Sequence, residues 1–192
     1  MNDFLKTRKS FSLSPGERAG LRASVNTNPP VGIFKRMSSS YKEFLEGQMF
    51  LRAAPGPRHE LICGRLHAII HASVANLAST QLLAPRTQVK LSSDTTICPD
   101  LALVARATGK LWLVAEIVNS EDHRPDTVIK KQIYEEMRLP RLWMVDPRYD
   151  NVETYHGSEY GLGLKAILAG REELSEKLLP EFHVVVKDLF AV

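Results

Sequence analysis

Residues 97–118 read ICPDLALVARATGKLWLVAEIV and contain two apolar runs, 97–105 and 111–118, on either side of the loop RATGK. Each run has apolar residues on both faces, which is typical of strands buried within a sheet. Each run also contains one carboxylate, Asp100 in the first and Glu116 in the second. A buried charge is costly unless a partner compensates it. A bound metal ion is therefore the first candidate partner for this pair.

The register of a hairpin around this loop decides whether the two carboxylates meet. If Ala105 faces Leu111, the same antiparallel register places Asp100 opposite Glu116, with Cβ atoms about 5 Å apart on one face of the sheet. Two carboxylates and the backbone carbonyl of Ile117 make an all-oxygen site, which suits Mg²⁺ and also Mn²⁺. Each acid also has a structural alternative: Asp100 as a turn residue after proline, and Glu116 as an edge residue or the partner of an arginine.

A helix predicted over residues 125–138 adds a lysine to this pair. At about 100° per residue, Lys130 shares the apolar face with Ile133, whereas Lys131 points toward solvent. A lysine on an apolar face either extends along the core to the surface or contacts an anion. Because the helix follows the strand that carries Glu116, we expect Lys130 to reach the carboxylates.

The remaining patterns predict an α+β domain in which helices flank a mixed sheet. Serine caps and a terminal glycine favour a short helix over residues 38–47, SSSYKEFLEG. A strand is expected over 48–54 and a long amphipathic helix over 55–77. Further strand-like runs are LLAPRTQVKL (82–91), RLWMVDP (141–147), NVETYH (151–156), YGLGLKAIL (160–168) and LPEFHVVVKDLF (179–190).

The bulk properties describe an ordinary domain rather than a membrane or strongly basic protein. The 192 residues fit one domain, and 44% hydrophobic with 24% charged residues is typical of a soluble globular chain. No apolar stretch approaches the roughly 18 residues of a membrane helix, and no signal peptide is evident, so we expect a cytoplasmic protein. The positive charge is concentrated in residues 1–36, which hold seven Lys or Arg against two acids. Net charge therefore does not indicate DNA binding by the rest of the chain.

Residues 1–36 lack sustained periodicity and are rich in Ser, Pro, Gly and Asn, which predicts a disordered basic leader before a domain at 37–192. The stretch SPGERAGLRASVNTNP resembles a translated bacterial interspersed repeat, so the leader is expected to be an extension ahead of a start at Met37. The alternative is a basic arm that contacts nucleic acid. Cys63 and Cys98 lack the spacing of metal ligands and are expected to be buried free thiols.

Four motifs in order, CPD, AEIV, DTVIKKQIYEE and RLPRLWMVDP, resemble the Uma-type family of restriction endonucleases within the PD-(D/E)xK nuclease-like superfamily. The similarity spans about residues 41–190, and FLEGQ and PGPRHELICGRL fit the family's opening segment. The resemblance implies a restriction-endonuclease-like mixed sheet flanked by helices, Mg²⁺ at Asp100 and Glu116, and a homodimer. It also makes Lys130, four residues before Tyr134, the family's helix lysine.

The chain departs from these patterns at two positions. The superfamily's lysine lies two residues after the glutamate, and that position is Val118 here, so the helix lysine takes its place. The opening segment of the family has glutamate after the glycine, and this chain has Gln48, which can orient a water or a phosphate but brings no charge. His59 matches a recurrent family histidine, although a histidine at a helix start is more often a cap or a surface residue.

The first functional hypothesis is a metal-dependent endonuclease that hydrolyses phosphodiester bonds of nucleic acid, with DNA as the expected substrate. Asp100 and Glu116 hold the ion, and Lys130 orients the attacking water. Tyr134 and His59 contact phosphate. One helical turn before Lys130, Asp126 fixes its ammonium.

Two other hypotheses remain open from the residues. One is a catalytically weakened nuclease-like domain that serves as a nucleic-acid-binding or interaction module. The other is a purely structural domain, which requires an Arg or Lys bridging each carboxylate and no cavity beside them. No base-reading helix or aromatic stacking platform is evident in the sequence, so DNA or RNA, and single strand or duplex, stay open.

Overall fold

The computed structural model describes residues 24–25, 40–118 and 124–191. A π-helical turn, Pro125–Lys130, runs directly into the second of three α-helices. The helices are α1 (Pro57–Val74), α2 (Lys131–Glu136) and α3 (Val186–Phe190). The strands are β1 (Ser24–Val25), β2 (Tyr41–Leu45), β3 (Gln48–Arg52), β4 (Thr80–Leu82), β5 (Val89–Lys90), β6 (Thr96–Ile97), β7 (Leu101–Ala105), β8 (Leu111–Ile117), β9 (Arg141–Asp146), β10 (Asn151–Ser158), β11 (Gly161–Ala169), β12 (Glu173–Glu176) and β13 (Leu179–Val185).

A mixed six-stranded sheet forms the central layer, in the order β11-β10-β9-β8-β7-β4. Its neighbours pair antiparallel except β8 and β9, which are parallel because the chain crosses between them through α2. A five-stranded antiparallel sheet, β1-β5-β6-β2-β3, and the pair β12-β13 complete the described strands. The α+β class and the mixed sheet flanked by helices are therefore confirmed.

The side chains of the central sheet alternate between two cores. On one face, Leu113 and Ala115 pack with Ile62 of α1 and with residues of β13 and α3. On the other face, Val114 and Val118 pack with residues of α2 and of the five-stranded sheet. Because side chains alternate along a strand, Glu116 shares the face of Val114 and Val118. The acidic strand position therefore points toward the helix that carries Lys130.

The predicted hairpin register is confirmed at the end of the strands where Asp100 and Glu116 lie. Leu101 pairs with Ala115, as the expectation of Asp100 opposite Glu116 requires. A β-bulge after Leu103 then shifts the ladder, so that Val104 faces Leu111 and the predicted pairing of Ala105 with Leu111 is wrong. A bulge adds one residue to one strand and changes the register only beyond that point.

The helix predicted over residues 38–47 is wrong, because the chain forms strand β2 there. β2 and β3 make a hairpin whose two turn residues, Glu46 and Gly47, both have positive φ, at 52° and 77°. Such a two-residue turn matches the twist of the strands that it joins. Glu43 and Leu45 are buried while their neighbours Lys42 and Phe44 are exposed, so a strand alternation underlies the segment.

Two other expectations are corrected in part. Residues 82–91 form the end of β4 and the separate strand β5, with a turn at Arg86, whose φ is 56°. The run 179–190 is a strand only as far as Val185 and then becomes α3. The long helix α1 and the strands β3, β8, β9, β10 and β11 lie where their patterns placed them.

The predicted leader, residues 1–36, lies outside the described residues except for Ser24–Val25, which pair with β5. Cys63 and Cys98 are buried and free, as predicted. Among the described residues, no helix is long and apolar enough to cross a membrane.

Gly157 in β10 fits against the chain that leaves α2. A Cβ atom there would lie 2.4 Å from the carbonyl oxygen of Leu139, which is backbone and cannot rotate away. We therefore expect Gly157→Ala to lower the free energy of unfolding by about 1 to 3 kcal/mol, measured by urea denaturation. Gly163→Ala in β11 is the matched control, since the nearest atom to its Cβ is 3.9 Å away. Equal stability of the two variants would contradict this packing.

Candidate active site

The ammonium of Lys130 lies among three buried carboxylates. Its Nζ is 2.7 Å from Glu116 Oε1, 3.1 Å from Glu43 Oε1 and 3.8 Å from Asp126 Oδ1. Lys130 is 1% exposed. The expectation that Lys130 faces inward and reaches Glu116 is confirmed, and Asp126 contacts it from one helical turn away.

Asp100 lies directly before β7 and contacts β8, α1 and the turn that contains Arg86. Its Oδ2 accepts the backbone N–H of Ile117 at 2.9 Å, which holds the carboxylate against the end of β8. Its Oδ1 lies 2.8 Å from His59 Nε2, at the start of α1, and accepts a bond of 3.1 Å from Arg86 Nε. The structure therefore brings His59 to Asp100, a contact that the sequence analysis did not predict.

Of the remaining predicted residues, Tyr134 and Asp126 lie in this buried cluster and Gln48 does not. The Tyr134 hydroxyl donates a hydrogen bond to Glu116 Oε1. Asp126 accepts two hydrogen bonds from Arg52 Nη2, at 2.7 and 2.9 Å. Gln48 is exposed beside the hairpin turn and is not brought into the buried cluster. The role of the Ile117 carbonyl as a metal ligand stays a prediction.

Three buried residues of the cluster were missed from the sequence: Glu43, Arg52 and Arg86. Glu43 is fully buried and also accepts the backbone N–H of Cys98 at 2.7 Å. The alternation in YKEFL was the signal for Glu43, and the helix assignment obscured it. Arg52 was missed for the same reason, because it lies in the same hairpin, where it pairs with Tyr41 at the end of β3. Arg86 lies in a turn with no periodic pattern.

The two central carboxyl groups have opposite electrostatic environments. Burial raises the pKa of Glu116 to about 8, because desolvation and the nearby Asp126, Asp100 and Glu43 outweigh the opposing effect of Lys130. Burial also acts to raise the pKa of Asp100, but His59, Arg86 and Lys130 hold it at about 2. Asp100 is thus ionised at neutral pH, whereas Glu116 retains a proton readily.

The other ionisable groups keep Lys130 charged and Tyr134 neutral. Burial acts to lower the pKa of Lys130, but Glu116, Glu43 and Asp126 raise it well above its usual value. Burial and the adjacent Glu116 raise the pKa of Tyr134 well above that of a free phenol. Four buried carboxyl groups thus share the interior with three cationic side chains and with His59: Glu43, Asp100, Glu116 and Asp126 against Arg52, Arg86 and Lys130. When Glu116 is protonated, the three remaining carboxylates are balanced by these three cations, so a metal ion that binds here must displace the proton of Glu116.

A cavity of about 200 Å³ lies on the face of the sheet that carries Glu116, although Glu116 itself does not line it. Met144, which pairs with Glu116 across β8 and β9, contributes to its wall. The described residues that line it are Val118, Thr127, Lys131, Met144, Asp146, Arg148, Glu153 and Tyr155. Through Met144, the cavity lies on the side of the sheet that carries the buried cluster.

The chemistry of the donors fits a hard divalent cation. Carboxylate and carbonyl oxygens are the ligands that Mg²⁺ and Mn²⁺ prefer. Oε2 of Glu43 is buried and has no hydrogen-bond partner within the described part of the chain. No group of three His, Cys, Asp or Glu side chains among those residues is arranged to hold a metal. The fit therefore depends on Asp100, Glu116 and backbone oxygen.

The ion pairs also match the arrangement required of a purely structural domain. Arg86 contacts Asp100 and Lys130 contacts Glu116, so each central carboxylate has a cationic partner. That hypothesis also required that no cavity lie beside the pair, and neither Asp100 nor Glu116 lines the cavity at Met144. The purely structural hypothesis therefore stays open.

Comparison with known proteins identifies relatives of this fold. The Uma2 family model, described as "Putative restriction endonuclease", matches residues 36–187. A solved structure from Anabaena variabilis, a "putative nuclease belonging to DUF820", is 15% identical with a TM-score of 0.64, over 78% of this chain and 89% of that chain. At this identity the similarity shows a shared fold alone. No curated protein matches the chain.

Proposed function

Because this chain belongs to the Uma2 family, whose model is described as "Putative restriction endonuclease", we propose that it is a metal-dependent endonuclease of nucleic acid, with DNA as the expected substrate. One observation carries the proposal: Glu116 is buried in contact with Lys130, and Asp100 is held beside it by the backbone N–H of the next residue, Ile117. Buried acids with perturbed pKa values are a typical feature of catalytic sites.

Asp100, Glu116 and the Ile117 carbonyl are the groups that would hold Mg²⁺ or Mn²⁺. When bound, such an ion polarises a phosphate and lowers the pKa of a coordinated water. Tyr134 donates its hydrogen bond to Glu116 and so fixes the orientation of that carboxylate. The Ile117 N–H does the same for Asp100.

Lys130 supplies positive charge where phosphodiester hydrolysis develops negative charge. Its raised pKa keeps the ammonium protonated at all working pH values. Asp126 and Glu43 hold it in place, so little reorganisation is needed during the reaction. His59, next to Asp100 and partly exposed, would contact a phosphate that approaches from the surface.

The alternative function is a nuclease-like module that binds nucleic acid without cleaving it. The ion pairs of Asp100 with Arg86 and of Glu116 with Lys130 favour it, because an entering cation must compete with them. Gln48 in place of the family's glutamate also favours it. A module of this kind binds nucleic acid, and chelation of metal leaves that binding unchanged.

The test is cleavage of supercoiled plasmid and of single-stranded circular DNA with Mg²⁺ or Mn²⁺. We expect nicking that stops with EDTA and returns when metal is restored, because the reaction depends on the ion. Glu116→Gln is expected to lose this activity, whereas Glu181→Gln, at an exposed position of β13, retains it. Cleavage that persists in EDTA, or no cleavage with either metal, would overturn the proposal.

A further inference from the structure

The cavity lined by Val118, Met144 and Asp146 lies at the carboxyl ends of the parallel strands β8 and β9. Met144 pairs with Glu116 on one side and with Glu153 of β10 on the other, so the three residues form a row across the sheet. Val118, directly after β8, and Asp146, at the end of β9, complete this edge. Open sheets bind ligands beyond the carboxyl ends of their parallel strands.

The cavity wall combines an apolar surface with compensated charges. Val118, Met144 and the Tyr155 ring supply the apolar part. Asp146 accepts hydrogen bonds of 2.9 Å from Arg148 Nε and 2.6 Å from Arg148 Nη2. Glu153 accepts a hydrogen bond from the Tyr155 hydroxyl.

Lys131 is also part of the cavity wall, although the sequence predicted that it points toward solvent. Its side chain is half-buried rather than directed to solvent, and its ammonium lies 4.0 Å from the centroid of the Tyr155 ring. Among the described residues that line the cavity, the cations Lys131 and Arg148 are thus matched by two carboxylates, Asp146 and Glu153. A phosphate would meet repulsion as well as attraction here. A planar nucleobase, with apolar faces and polar edges, matches the lining better.

An exposed aromatic side chain stands next to the cavity. Tyr149 follows Arg148 in the turn between β9 and β10, is 70% exposed, and has the Arg148 guanidinium 5.3 Å from its ring centroid. The next residue, Asp150, accepts a hydrogen bond of 2.6 Å from Arg58 at the start of α1. Because Arg58 precedes His59, this contact ties the turn to the residue that touches Asp100.

We propose that Tyr149 and the cavity bind consecutive unpaired bases of a single-stranded nucleic acid whose scissile phosphate lies at Asp100 and Glu116. The choice of substrate class rests on the proposed function. Exposed aromatic rings stack on bases of any sequence, and arginine adds to such contacts. Bases in a duplex are already stacked and paired, so they reach a cavity only after costly extrusion. Single strands therefore bind more tightly than duplexes of the same sequence.

Fluorescence anisotropy with a labelled oligonucleotide, single-stranded or annealed to its complement, tests this inference in EDTA. Tyr149→Ala is expected to weaken single-strand binding roughly tenfold, and Lys131→Met is expected to weaken it by a smaller factor. Tyr160→Ala is the matched control, because Tyr160 is 90% exposed but lies at the opposite end of β10. Unchanged affinity in Tyr149→Ala, or duplex binding as tight as single-strand binding, would overturn the inference.

Cleavage kinetics separate this subsite from the proposed function. In Tyr149→Ala we expect KM for single-stranded DNA to rise while kcat stays the same, since stacking acts equally in the ground state and the transition state. Wild-type cleavage that Tyr149→Ala leaves unaltered in KM overturns the subsite and leaves the nuclease function intact. Binding that depends on Tyr149, in a protein that cleaves nothing with Mg²⁺ or Mn²⁺, retains the subsite and overturns the nuclease.

Discussion

Replacing Lys130 with methionine is expected to lower the free energy of unfolding by about 3 to 5 kcal/mol. Methionine keeps the length and the apolar stem of the side chain but removes the ammonium. Glu116, Glu43 and Asp126 are then left buried without the cation that now lies within 2.7 to 3.8 Å of each. Urea denaturation followed by circular dichroism measures the loss.

Lys131→Met is the matched control for this variant. Lys131 is the next residue in the chain, but its ammonium contacts the Tyr155 ring at a half-buried position. A cation–π contact that is still partly hydrated contributes only about 0.5 to 1 kcal/mol, so we expect a small loss. If Lys130→Met were as stable as Lys131→Met, the ammonium would not be the counter-charge of the buried carboxylates.

The second large effect is expected for Asp100→Asn, which should reduce metal-dependent cleavage about a hundredfold or more. Partners behind metal ligands already contribute 10- to 100-fold, and a ligand itself contributes at least as much. The fold should survive, because the carboxamide oxygen still accepts the Ile117 N–H and Arg86 keeps Glu60 at 2.8 Å. Initial cleavage rates and thermal melting of the same preparation measure the two quantities separately.

Asp188→Asn is the control for this substitution, since Asp188 is exposed in α3. Its cleavage rate should equal that of the wild type. Full activity in Asp100→Asn would contradict a catalytic role for the carboxylate. A melting temperature far below that of the control would instead show that Asp100 is mainly structural.

The sequence predicted the centre of the site because simple periodicities fix it. Each of the two apolar runs contains one acid, and antiparallel pairing of the runs predicted that Asp100 lies near Glu116. The bulge lies closer to the loop and does not change the register at this end. The face of the following helix then placed Lys130 among the carboxylates. The local sequence pattern was therefore sufficient to predict the positions of these three residues.

The surroundings of the site were not predictable in the same way. Serine caps and a glycine favoured a helix over residues 38–47, whereas sheet pairing and the burial of Leu45 favour β2. Tertiary contacts outweigh such local signals. Glu43 and Arg52 were missed for this reason. Arg86, in a turn with positive φ, depends on packing that no periodicity reveals.

The most direct test of the central claim is a calorimetric titration of Mn²⁺ into the wild-type protein and into Asp100→Asn. If the buried carboxylates form a metal site, the wild type binds Mn²⁺ and the variant binds it about a hundredfold more weakly or not at all. Mg²⁺ should compete for the same site. Absence of binding to the wild type at millimolar Mn²⁺, or identical isotherms for the two proteins, would contradict the claim.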